Sequence, residues 1–133
     1  MRFFGLFQKK AVPLAGAPAI RRMKTYSAQT GYVYQYYYEG HRPLRAAAKP
    51  GTEFVFQISF DRKDWSAISI VVSEEAIGAW ETTQARRLSA TERYAVAKMA
   101  LFQAFDEREP VRMKGPVEVR EADLGGILET LDL

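Results

Sequence analysis

The sequence predicts an α+β fold: an antiparallel sheet of three to four strands, covered on one face by two to three helices, with an extended basic N-terminal arm. Three observations carry this expectation. Apolar and polar residues alternate over 54–60 and again over 66–73, with Asp61-Arg62-Lys63-Asp64 between them, the pattern of a hairpin. After Ser73 the apolar period lengthens to that of a helix. Before residue 24, Pro13, Gly16 and Pro18 are spaced so that no helix runs through. Residues 1–24 therefore read as an arm, and residues 25–133 as one domain with one core.

The elements follow in order. Tyr32 to Glu39 is the first predicted strand, with Tyr32, Tyr34, Tyr36 and Tyr38 on one face, because side chains of a strand alternate. That face is expected to be core. Gly40 is expected to end the strand, and residues 40–52, with Pro43, Pro50 and Gly51, to form a basic loop. The hairpin then presents Phe54, Phe56, Ile58 and Phe60, and Ile68, Ile70 and Val72, on one apolar face. This suits an antiparallel sheet with one side covered. Ser73 is the expected N-cap of a first helix, with Glu74 and Glu75 where the helix dipole favours anions. Ser89-Ala90-Thr91-Glu92 fits a capping box and opens the longest helix, to about Glu107, with Pro110 beyond its end. Val117-Glu118-Val119 suits a short strand, and Glu121 to Leu131 a last helix.

Charge is segregated. Up to Thr52 the chain has nine basic residues and one acid, an excess of +8; from Glu53 on it has ten basic and fifteen acidic residues, an excess of −5, and the whole carries +3. Such asymmetry points to an anionic partner or to pairing between the two halves.

Several chemistries are poorly served. There is no cysteine, so no disulfide, thiolate or Cys-based metal site. The single histidine, His41, lies in an Arg-Pro context and reads as a surface residue. No Gly-rich phosphate loop and no paired carboxylates stand out, so neither a cofactor nor a metal is expected. No apolar run approaches the roughly 18–20 residues of a membrane span. The start is interrupted by Gln8-Lys9-Lys10, unlike a secretory signal. A cytoplasmic location is the expectation.

The candidate partner-binding residues are Phe3, Phe4 and Phe7, an aromatic cluster beside Lys9 and Lys10; Arg21, Arg22 and Lys24, ahead of the sheet; Arg42 and Arg45, after its first strand; and Tyr37, on the mixed face of that strand. Lys98 is a candidate pocket residue, because on a helix it falls among Tyr94, Leu101, Phe102 and Phe105, and a desolvated lysine is a perturbed one. Val96, Met99 and Ala100 make the same helix apolar on a second side, which suggests a central position or a homo-oligomer interface.

The leading expectation is a non-enzymatic interaction or accessory protein that docks on a larger protein assembly or anionic surface through its arm and basic loop. A second reading is a single-stranded nucleic-acid binder using Tyr37, Arg42, Arg45 and the arm. A third is a small enzyme or ligand-binding protein with a pocket between sheet and helix that contains Lys98 and tyrosine hydroxyls.

Overall fold

A computed structural model describes residues 12–44 and 50–133. Among these residues five strands form one sheet in sequence order: β1 (Lys24–Ser27), β2 (Val33–Leu44), β3 (Gly51–Ser59), β4 (Ser66–Ser73) and β5 (Val117–Val119). Neighbours pair antiparallel except β4 with β5, which run parallel. That last pairing needs a long crossover. It is supplied by helices α1 (Glu74–Gln84) and α2 (Ala90–Glu107) and a 3-10 turn, Pro110–Arg112; helix α3 (Glu121–Thr130) ends the fold.

The hairpin and helix starts lie where the sequence puts them. Ser73 accepts a hydrogen bond from the Ala76 N–H, and Ser89 and Glu92 form the reciprocal capping box. Asp123 performs the equivalent service for α3, accepting from the Arg120 backbone N–H at 3.1 Å.

The sheet has more strands than expected. Lys24-Thr25-Tyr26-Ser27 pairs with Tyr36 to Val33 as an edge strand, although only Tyr26 gives it an apolar side chain. Lys24 therefore belongs to the sheet and not to the arm. Gly40 does not end β2. The register between β2 and β3 shifts between Tyr38 and Gly40, and Glu39 is the extra residue of a bulge. Gly40 adopts φ +130°, and a Cβ there would stand 2.7 Å from the Ala15 carbonyl oxygen, so both the conformation and the close approach require glycine. The residues expected in a loop are thus strand up to Leu44 and again from Gly51; Arg45 and Lys49 lie outside the described residues.

The core lies between one face of the sheet and the helices. Tyr34, Tyr36, Phe54, Phe56, Ile58, Ile68, Ile70 and Val72 from the strands meet Ile77, Val96, Ala97, Leu101, Phe105, Leu124, Ile127 and Leu128. Burying each large side chain contributes about 1.5–3 kcal/mol. Two of the expected core aromatics are instead exposed: Tyr32 precedes β2, and Phe60 follows β3. The second apolar side of α2 is covered within the chain, since Val96 and Ala100 are buried and α2 touches β4, β5 and α3. No helix among the described residues is long and apolar enough to cross a membrane.

Candidate cationic cleft beside the second strand

Before β1 the chain approaches β2 once more. Ala15 and His41 exchange two backbone hydrogen bonds, of 2.8 and 2.9 Å. Lys24 pairs with Tyr36 further along the same edge. Nine residues of the leading chain therefore span only five of β2, and the surplus, Gly16 to Met23, loops out. Between these two anchors β2 has no strand partner on that side among the described residues.

Two cavities open beneath this loop. One, of about 410 Å³, is lined by Gly16, Tyr38, His41, Thr91, Arg93 and Tyr94 among others. The other, of about 340 Å³, is lined by Pro18, Ile20, Arg22, Lys24, Tyr36 and Tyr94 among others. They share Gly16, Tyr38 and Tyr94, and so form one cleft between the leading chain, β2 and the N-terminal half of α2.

The bulge decides what the cleft contains. Plain alternation would place His41 on the face opposite Tyr38. The extra residue at Glu39 restores it to the same face, where Tyr38 opposes Phe56 and His41 opposes Phe54. His41 is thus not a surface residue: it is half-buried, its ring is 5.7 Å from that of Phe54, and its Nδ1 lies 3.0 Å from the Tyr38 hydroxyl. Burial, with the neighbouring Tyr94 phenol, pushes the Tyr38 hydroxyl up to about 12. Gly16, at φ +73°, lies against the imidazole; a Cβ there would come within 2.7 Å of Cε1.

The cations divide into two groups. Arg21 pairs with Glu39 at 3.7 Å, and its guanidinium stands 5.8 Å over the Tyr37 ring. Arg42 pairs with Glu53 at 2.7 Å and also donates to the Val12 carbonyl. Burial alone would raise the Glu53 carboxyl; hydrogen bonds from Ser69 and Arg42 and the arginine's charge outweigh it and hold the group below its usual range. Arg93 reaches Glu74 at 3.3 Å and Glu81 at 3.9 Å. These three are matched within the chain. Arg22, Lys24 and Lys98 form no ion pair among the described residues. The Lys98 ammonium stands 5.8 Å over the Phe102 ring. Burial and the adjacent Lys24 ammonium hold its pKa below that of an ordinary lysine.

Of the residues named from sequence, Arg22, Lys24 and Tyr37 line the cleft, and Lys98 lies next to Lys24. Arg21 and Arg42 are committed to internal carboxylates. Tyr37 is half-buried, with its ring 5.5 Å from Trp65 and under the Arg21 guanidinium, and it too lines the cavity of about 340 Å³. Phe3, Phe4, Phe7 and Arg45 lie outside the described residues. Sequence reasoning missed Tyr94, Thr91 and Arg93, which line the cleft from α2, and misplaced His41.

Chemically the cleft is a set of donors with aromatic walls: the Lys24 ammonium, the Arg22 and Arg93 guanidiniums, phenols and the Thr91 hydroxyl at the positive end of an 18-residue helix, with the Lys98 ammonium next to Lys24. No acid among the described residues lines either cavity, and of these cations only Arg93 is paired. Among the described residues no three His, Asp or Glu side chains gather to hold a metal ion. The chain matches no family model, no curated protein and no solved structure.

Proposed function

We propose that the chain is a non-enzymatic interaction protein that docks on a larger partner by taking an acidic segment of it into the cleft beside β2. The observation behind this reading is that Arg22 and Lys24 line the cleft, with Lys98 next to Lys24, and none of the three has an ion-pair partner among the described residues, while Arg21 and Arg42 nearby are matched. Placing two ammoniums side by side costs free energy that a bound carboxylate returns. The tyrosine walls accommodate the aliphatic stems of glutamates.

The test is fluorescence anisotropy of a labelled poly-glutamate peptide against the full chain at low salt. Binding is expected, weakening as salt screens the charges. Arg22→Glu with Lys24→Glu is expected to abolish it, and Arg87→Glu, at an exposed site on the α1–α2 link, to leave it unchanged. Affinity should also fall as pH rises through the depressed Lys98 pKa, because the neutral amine must first regain a proton. No binding at low salt, or binding indifferent to the double charge reversal, overturns the reading. Tighter binding of a single-stranded RNA or DNA oligonucleotide than of the peptide transfers the cleft to nucleic acid.

A further inference from the structure

A groove opens on the face of the sheet away from the core. It measures about 510 Å³, more than either half of the cationic cleft, and shares no lining residue with it. Leu44, Val71, Ala76, Val119 and Ala122 give it apolar walls. Arg42, Glu53, Val71 and Glu118 pair in register and form one row across β2, β3, β4 and β5. Ile70 and Val72, on either side of Val71, belong to the core, so the row faces the other way. Leu44 stands two residues beyond Arg42 on the same face. Gly51 lies between Leu44 and Ser73 in register and puts no side chain there.

The rim of the groove is acidic. Glu75, Glu118 and Glu121 line it, are exposed, and form no ion pair among the described residues. Arg120 lines it too, but pairs with Asp123 at 3.3 Å. Glu75 and Glu121 lie in the first turns of α1 and α3, where the helix dipoles favour them; Glu118, on β5, has no such support.

The path of the leading chain points at this groove. Ala15 lies at the edge of β2, but by Val12 the chain has come over the row, where the Val12 carbonyl accepts from the same Arg42 guanidinium that pairs with Glu53. Residues 3–10 precede it, outside the described residues. Three strand spacings separate Arg42 from Glu118, about 14 Å. Nine extended residues reach about 30 Å, ample for the crossing.

We infer that the groove is the seat of this chain's own residues 3–10. Phe3, Phe4, Leu6 and Phe7 offer apolar side chains to its walls, and Lys9 and Lys10 offer cations to its rim. Four large apolar side chains in one short stretch are costly to leave in water. A segment tethered at Val12 meets the groove at the high effective concentration of a short linker, which a second molecule does not match. The groove and the cationic cleft are separate, and neither proposal depends on the other.

The experiment uses the absence of cysteine, which lets one spin label be placed without ambiguity. In the full chain labelled at Gln8→Cys, the NMR amide signals of 71–76 and 118–122 are expected to lose intensity severalfold, and those of 58–66 to keep theirs. Phe4→Asp with Phe7→Asp keeps the tether and leaves the described fold untouched; it should restore the lost signals. Glu118→Lys, at an exposed strand position, should restore them in part. Mixing spin-labelled chain with isotope-labelled chain that carries no spin label should leave every signal intact. Signal loss at 71–76 and 118–122 in that mixture gives the groove to a second copy and overturns the inference. So do full intensity at both stretches in the labelled chain, losses centred elsewhere, or losses that survive Phe4→Asp with Phe7→Asp.

Discussion

The two ends of β2 use tyrosine in opposite ways. At the cationic cleft, Tyr38 is satisfied: its hydroxyl shares a hydrogen bond with His41 Nδ1, and its ring lies 4.7 Å from that of Tyr94. At the loop end, Tyr34 has the same neighbours in kind, aromatic rings and apolar side chains, but its hydroxyl has nothing to donate to. Among the described residues, Arg22 and Lys24 at the cleft have no counter-charge, and the Tyr34 hydroxyl at the loop end has no hydrogen-bond partner. An unmatched group is more informative about a partner than a matched one, because matching is what folding selects when nothing else is required.

The strongest way to break the comparison is to remove what both ends share. Phe105 is fully buried, stacks on Tyr34 at 4.0 Å and lies 6.2 Å from Tyr36, so it supports both regions. Phe105→Ala should cost about 3–5 kcal/mol in denaturant unfolding. A loss under about 1 kcal/mol would mean that the two ends do not rest on one core.

A smaller effect isolates the matched cations. Glu53 holds Arg42, which in turn holds the Val12 carbonyl. Glu53→Gln should cost about 1–3 kcal/mol at neutral pH. Because the folded carboxyl titrates below its unfolded range, its contribution is present above that range and lost as pH falls through the depressed value. The unmodified chain should therefore lose more stability on acidification than Glu53→Gln, measured as thermal midpoints over pH 3–7. Parallel acid limbs would show that the pair contributes nothing.

The smallest effect sharpens the comparison most directly, since one substitution is made at each end. Tyr38→Phe should cost about 1 kcal/mol, the net worth of its bond to His41. Tyr34→Phe should leave stability within about 0.5 kcal/mol of the original or raise it, because it deletes a group that has no partner. A clear loss in Tyr34→Phe would reveal a partner for the hydroxyl inside the folded chain.

How much of this was legible depended on the range of each interaction. The hairpin, the Ser73 and Ser89 caps and the buried face carrying Tyr34 and Tyr36 rest on local periodicity and short-range chemistry, and these were readable. Strand β1 was not, because Lys-Thr-Tyr-Ser carries one apolar residue and owes its conformation to the edge of β2. The exposure of Phe60 was missed because alternation says nothing about where a strand stops. At the cleft, Arg22, Lys24 and Lys98 were each suspect by charge or by helical position. Their meeting was not readable, nor was the arrival of Tyr94 and His41 beside them.

Sequence alone determined the α+β class, the hairpin, the helix starts and the uneven charge. Those follow from periods of two and 3.6 residues and from side chains acting within a few positions of themselves. Tertiary structure alone decided which cations were neutralised, which tyrosine was left without a partner and on which face His41 stands. One extra residue at Glu39 reverses the facing of everything after it in β2, and the pairing of side chains 18 or 80 positions apart, as in Gln57 with Glu39 and Tyr26 with Asp106, is set by the register of strands and the seat of a helix.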